Sequence, residues 1–483
     1  NETYTTTAAN LREFPLNQPV WKAACLNCHD THTVQGARRL LREGTDSISS
    51  PKTGGNAALE EACYTCHSSD GGVLNGQGGA SFEVPNIKTD FKLSKHMPIV
   101  TSEQANTTAE THDVQDADLI EDTAKFNNSN RHVECTDCHN PHRLMKNRLF
   151  NGTGATAAGT HDHSSGHTNI ASGVLRGSWG VEPVYGATEF SPDILPILFD
   201  TKSGDGGASA STGVTNTYVT REYQICMKCH SNFAYGSNPP SLGDTGGNTT
   251  SGTNNLTQYT NQSMEFQSPT THQGRPGSTT DSGASTSYSS NNYRSWHPVM
   301  KPTGRTGALR GNSAVANAWR SPFNGTSNVG SQTMYCSDCH GSDTGSTTVE
   351  PNGGENGNPW GPHGSNNNFL LKGGWSTSSK DLCFKCHDSS VYNNADSKSK
   401  RTGFWGGNKD NLHAYHRDRI GDLSCNWCHI AIPHGWKNKM FLVNLNDVGP
   451  EAGLPAGTQV RNKTTSAYNN GPYYMNAILK VNN

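Results

Sequence analysis

Nowhere in this chain do apolar residues run for the roughly 18 positions that a membrane-spanning helix needs; they come in short groups set among Gly, Ser, Thr and Asn. NAALEEACYTCH reads as a short helix with Asn56 as its cap, and SSKDLCFKCH as another with a capping box of Ser378 and Asp381. Both run into a Cys-x-x-Cys-His sequence, so short helices are expected where such sequences sit. Elsewhere turn formers dominate, and tracts such as TGGNTTSGTNN and STTDSGASTSYSSNN read as loops. MFLVNL and YYMNAILKV, near the end, are strand-like or suited to docking. The predicted fold is mostly irregular coil, with short helices at these motifs and a few short strands.

Composition sharpens this picture. Only 31% of residues are hydrophobic, against roughly 45–50% apolar, glycine included, in ordinary globular proteins. Disordered chains of low hydrophobicity carry high net charge, yet the formal charge here is −3 and charged residues make up 16%. Such a chain folds only with extra apolar material or covalent staples. Without basic runs, no nucleic-acid partner is expected, and Asn1 reads as the start of a processed chain.

The cysteines supply both missing ingredients. All 14 fall into seven Cys-x-x-Cys pairs, each followed at once by histidine: Cys25, Cys28 and His29; Cys63, Cys66 and His67; Cys135, Cys138 and His139; Cys226, Cys229 and His230; Cys336, Cys339 and His340; Cys383, Cys386 and His387; Cys425, Cys428 and His429. This is the attachment signature of c-type haem. The thiols form thioethers with the porphyrin, and the adjacent imidazole is delivered to one axial face of the iron. Zinc would combine such pairs in fours, which seven pairs cannot satisfy, and disulfides need no histidine after every pair. Seven covalently bound c-type haems are expected, with those seven histidines as proximal ligands and the hydrophobic core built largely of haem.

In VECTDCHNPH a second histidine, His142, follows His139 by three residues. Three residues span at most about 10 Å, too little to pass round the porphyrin rim, so His142 can serve only a neighbouring iron. His32 repeats the arrangement after His29, and His434 does so more loosely after His429. The chain has 21 histidines, enough for a second imidazole on every iron. The other distal candidates are His96, His132, His297, His363, and His413 or His416. His112, His161, His163, His167 and His272 fit less well, and HDHSSGH reads as a polar surface loop. Imidazole on both faces leaves no open coordination position, which favours electron transfer over catalysis.

Along the chain, residues 1–150 form a three-haem segment and 331–435 another. Residues 151–330 form a loop-rich segment with one haem, and 436–483 a haem-free tail suited to docking on a neighbouring subunit. Motif spacing has no fixed period, so no solenoid is expected. A weaker echo links motif 63–67, followed by KHMPI, with motif 226–230, followed by WHPVM, as a duplicated two-haem unit would.

CHDTHTVQGARRLLREG, RHVECTDCHNPH, REYQICMKCH, SWHPVMKPTGR, GPHGSNNNFLLKGG, DLCFKCH, NLHAYH and CHIAIPHGW together resemble the large secreted multihaem c-type cytochromes of the doubled C-x-x-C-H type. They also resemble the extracellular cytochromes that polymerise into conductive filaments, the cytochrome nanowires. The resemblance implies a secreted or cell-surface electron conduit forming a helical homo-oligomer. Outer-surface cytochromes would be its donors and extracellular acceptors its sink, with a haem ligand donated between subunits that by position would be His32. The alternatives are a discrete, non-polymeric cytochrome and, third, a reductase of nitrogen or sulfur oxyanions. The reductase needs a haem with an open face, which the surplus of histidines argues against.

Overall fold

The computed structural model describes residues 24–29, 59–68, 84–91, 110–114, 133–153, 161–163, 168–186, 195–236, 261–267, 295–307, 313–351, 355–374, 378–406, 410–444 and 473–474, less positions 65, 113, 344, 356, 379, 423, 426, 427, 430–432, 437 and 438. They fall into two compact units. Unit 1 comprises Asn1–His139, His340–Gly345 and Glu350–Lys372; unit 2 comprises Asn140–Cys339, Ser346–Val349 and Gly373–Asn483.

Regular elements are short because turn residues interrupt every apolar group. The longest helix among the described residues, Leu412–Ile420, starts where the Asn411 side chain accepts the His413 N–H and stops at Gly421, whose φ of 102° few other residues adopt. The described strands pair only in twos, all antiparallel, the longest being Gly180–Val184 with Leu198–Lys202. The helix expected after Asn56 is present as Leu59–Tyr64, while Asn56 itself lies outside the described residues. Ser378 and Asp381 form one half of their expected box, the Ser378 N–H donating to Asp381 Oδ2 at 3.2 Å. The residue that caps the following 3₁₀ turn, Leu382–Lys385, is Asp381. Among the described residues no helix is long and apolar enough to cross a membrane.

Protein-only cores are small. In unit 1, Tyr64, Phe91 and Val114 form one cluster, with Ile87 and Val133 against it. In unit 2, Val181, Tyr223, Met227, Phe266, Val299, Met300, Phe323 and Met334 form a larger one, and Cys336, Cys339 and Cys386 border it.

Each unit also holds the same small device, a clasp. In unit 1 the strand Glu110–Thr111 pairs with Gly364–Ser365, and the next residue, His112, donates its N–H to the His363 carbonyl at 3.0 Å. In unit 2 Ser295–Trp296 pairs with Gly435–Trp436 in the same register, and His297 donates to the His434 carbonyl at 3.0 Å. Two residues further on, Val114 and Val299 are both buried. The second strands lie in matching sequences, PHGSNNNFLL at 362–371 and PHGWKNKMFL at 433–442. Each sequence carries two successive left-handed residues, Phe369 and Leu370 (φ 61° and 51°) or Met440 and Phe441 (φ 55° and 57°). Glycine is required at 364, where a Cβ would stand 2.5 Å from the Asp90 carbonyl oxygen.

A short helix backs each clasp. Lys88–Phe91 begins with its N–H on the His67 carbonyl, and Gln262–Glu265 with its N–H on the His230 carbonyl, both at 3.0 Å. Phe91 packs on the His363 ring at 5.5 Å, and Phe266 on His434 at 4.8 Å. The two clasps therefore repeat one arrangement within the chain. In the structure WHPV matches THDV at 111–114, and KHMPI lies outside the described residues.

Candidate haem sites

A single helical turn explains the motif spacing. In six motifs the histidine N–H bonds the carbonyl of the first cysteine, at 2.9–3.0 Å. Positions i, i+3 and i+4 then share one face, so two sulfurs and one imidazole can address a single flat group. In the fifth motif, Cys336–Asp338 is a tighter 3₁₀ turn, with the Cys339 N–H on the Cys336 carbonyl at 3.2 Å.

Thiols of successive motifs meet. Cys63 and Cys135 are hydrogen-bonded, as are Cys226 and Cys336, and Cys383 and Cys425. The shared hydrogen bond and then burial push Cys135, Cys336 and Cys383 well above the usual thiol range. The same bond lowers their partners Cys63 and Cys425.

The histidines are prepared as metal ligands. Nδ1 of His67 bonds the Pro85 carbonyl at 3.2 Å, that of His340 the Phe369 carbonyl at 2.7 Å, that of His416 the Leu412 carbonyl at 2.6 Å and that of His429 the Met440 carbonyl at 2.5 Å. Nδ1 of His112 bonds the Pro362 carbonyl, and that of His297 the Pro433 carbonyl. A carbonyl only accepts, so the proton is on Nδ1 and the lone pair on Nε2, the tautomer that metal-ligating histidines adopt. The left-handed pairs at 369–370 and 440–441 flank two of these carbonyls and aim them at motif histidines, a use for backbone strain.

Two histidine pairs have the spacing that one iron requires. His139 and His363 stack with ring centres 6.3 Å apart and planes 28° from parallel; His413 and His429 do so at 6.4 Å and 22°. Imidazoles bound at about 2 Å on opposite sides of one metal hold their centres roughly 6.3 Å apart. Burial, then neighbouring imidazoles, lower His363 and His413 to about 3. Burial likewise lowers His67, His112, His297 and His429. Neutral imidazole is the form that binds metal. The residues present fit haem.

All seven motif histidines are among the described residues. Of the distal candidates, His363 and His413 are brought opposite motif histidines, and His297 and His434 sit together in the second clasp. His416 lies one helical turn from His413. His142 is on an exposed turn, its N–H bonded to Asn140 Oδ1 at 3.1 Å. His32, His96 and His132 lie outside the described residues, as do His167 and His272.

One expectation is overturned. His161 and His163 are buried, not part of a polar surface loop. His161 Nε2 bonds Glu222 at 2.9 Å, the Ser337 hydroxyl lies within 2.8 Å of both, and His163 Nε2 bonds Asp338 at 2.9 Å. Burial pushes the Glu222 carboxyl up, but the His161 and Ser337 bonds outweigh it and hold the group below its usual range. The network ties the Glu222–Cys226 helix to the turn bearing Cys336. These histidines spend Nε2 on carboxylates and brace two attachment motifs against each other. The sequence gives no hint of this, because each partner lies more than sixty positions away. It likewise hides Glu265, whose Oε2 bonds Nδ1 of His434 at 2.7 Å.

Paired sulfurs beside imidazoles of fixed tautomer define a protein that carries several covalently attached haems. Two segments, 17–72 and 328–391, match the family model of the doubled CXXCH motif, each spanning two successive motifs. The class these matches support is the multihaem c-type cytochrome, with covalently bound haem and a role in electron transfer. Comparison with curated proteins and with solved structures gives no match.

Proposed function

We propose that the chain binds seven haems, each iron held between two imidazoles, and that it conducts electrons outside the cell as a subunit of a homopolymeric filament. The observation that carries the conduit is the meeting of thiols from successive motifs, 2 with 3, 4 with 5 and 6 with 7. Porphyrins bonded through touching sulfurs have neighbouring rims, so electrons pass readily within each of these three pairs of centres. Histidine on both faces removes the open position that a reductase needs. Polymerisation is supported by the resemblance to filament-forming cytochromes. It also suits histidines such as His32 and His142, which follow a motif too closely to reach its own iron.

Two measurements test this. The intact mass of the purified protein is expected to exceed the polypeptide by seven haems; a smaller increment overturns the count. Electron microscopy is expected to show filaments with a continuous line of haem density. Uniform single-chain particles across conditions overturn the filament in favour of a discrete cytochrome.

A further inference from the structure

Four imidazoles gather in unit 1. His67 and His139 come from motifs 2 and 3, whose first thiols touch. His363 and His112 come from the two strands of the clasp, bonded backbone to backbone. His139 and His363 face each other at 6.3 Å and account for one iron. His67 and His112 both lie near His363, and both have Nδ1 committed to a proline carbonyl.

We infer that His112 is the second axial ligand of the haem on Cys63 and Cys66, opposite His67, so that one clasp caps two adjacent irons. This rests on haem being bound at the motifs. The second clasp supplies independent support: His297 occupies the equivalent position with the same register, the same proline carbonyl on Nδ1 and the same buried valine two residues on. Two ligands on paired strands have backbones that cannot move apart without breaking the ladder. The clasp therefore fixes the separation of two irons as well as their ligation.

The test uses the full haem-loaded protein. His112→Ala is expected to keep the wild-type haem mass while one iron per chain changes from low-spin to high-spin in the ferric electron paramagnetic resonance spectrum. Added imidazole is expected to restore the low-spin signal. His112→Met, a milder change, is expected to raise one midpoint potential in a spectroelectrochemical titration, since methionine ligation raises potential. Full haem mass with an unchanged all-low-spin spectrum in the alanine variant overturns the assignment. So does an unchanged potential set in the methionine variant. Failure of the underlying haem reading is distinct, because it would already show as missing haem mass in the wild-type protein.

Discussion

Two residues in equivalent places show how one methylene sets a ligand's character. Glu265 and Asp90 each precede the phenylalanine that packs on a clasp histidine. Glu265 reaches Nδ1 of His434 at 2.7 Å. Asp90 instead accepts from the Ser342 hydroxyl, and Nδ1 of His363 is buried with no hydrogen-bond partner among the described residues. A carboxylate on Nδ1 makes imidazole a stronger donor to ferric iron and lowers the potential. Glu265→Gln is expected to raise one midpoint potential by on the order of 60 mV, the one-electron equivalent of a tenfold change; spectroelectrochemistry reads it. Asp90 leaves a different trace. Burial raises its carboxyl to about 6, against the lowering effect of Ser342. The folded state then holds the proton more tightly than the unfolded chain, whose carboxyl titrates near 3.9. This contribution is fully present below about pH 4 and is lost as pH rises through 6. Asp90→Asn should abolish it, so its unfolding free energy, read from denaturant titrations, should vary less between pH 4 and 7, by up to about 3 kcal/mol.

At the scale of elements, the clasp is a pair of two-residue strands, far too small to hold together alone. Its neighbours hold it: the backing helix, the buried valine and the carbonyls aimed at histidines. Gly364→Ala is expected to cost about 1–3 kcal/mol, because the new Cβ would meet the Asp90 carbonyl and Thr111 Cγ2 at 2.5 and 2.9 Å. A thermal melt measures the loss, and partial high-spin iron would report that His363 has shifted. The clasp also shows where sequence reading stops. The attachment motifs are legible because covalent chemistry needs their residues contiguous. The repeat PHGSNNNFLL and PHGWKNKMFL is present in the residues too, but Ser365 against Trp436 and Phe369 against Met440 disguise it. His112 is hard to single out because THDV lacks the proline of WHPVM. Register and a buried valine define the equivalence, and neither depends on that proline. The His139 and His363 rings come together across more than two hundred positions, and no local pattern encodes such a distance.

For the whole molecule, the question is what replaces an ordinary apolar core. Among the described residues, the two clusters above contain eleven buried side chains. Three attachment cysteines, Cys336, Cys339 and Cys386, border the larger cluster, so haem bound there would extend it. Even if each haem buried only about 150 Å², the low end for an aromatic side chain, seven would contribute on the order of 25 kcal/mol. Net folding stabilities are about 5–15 kcal/mol, so the haem contribution exceeds the margin that remains. Charge works in the other direction. If seven haems are bound and their propionates ionised, the protein would carry about −10 when oxidised and −17 when reduced, so reduction would add self-repulsion to be absorbed. Removing haem should therefore do more than silence electron transfer. A chain with every attachment cysteine changed to alanine is expected to lose the cooperative unfolding transition and the near-ultraviolet circular dichroism of its buried aromatics. The wild-type chain with haem attached should keep both. Retention of a cooperative melt in the haem-free chain would show that the polypeptide supplies its own core.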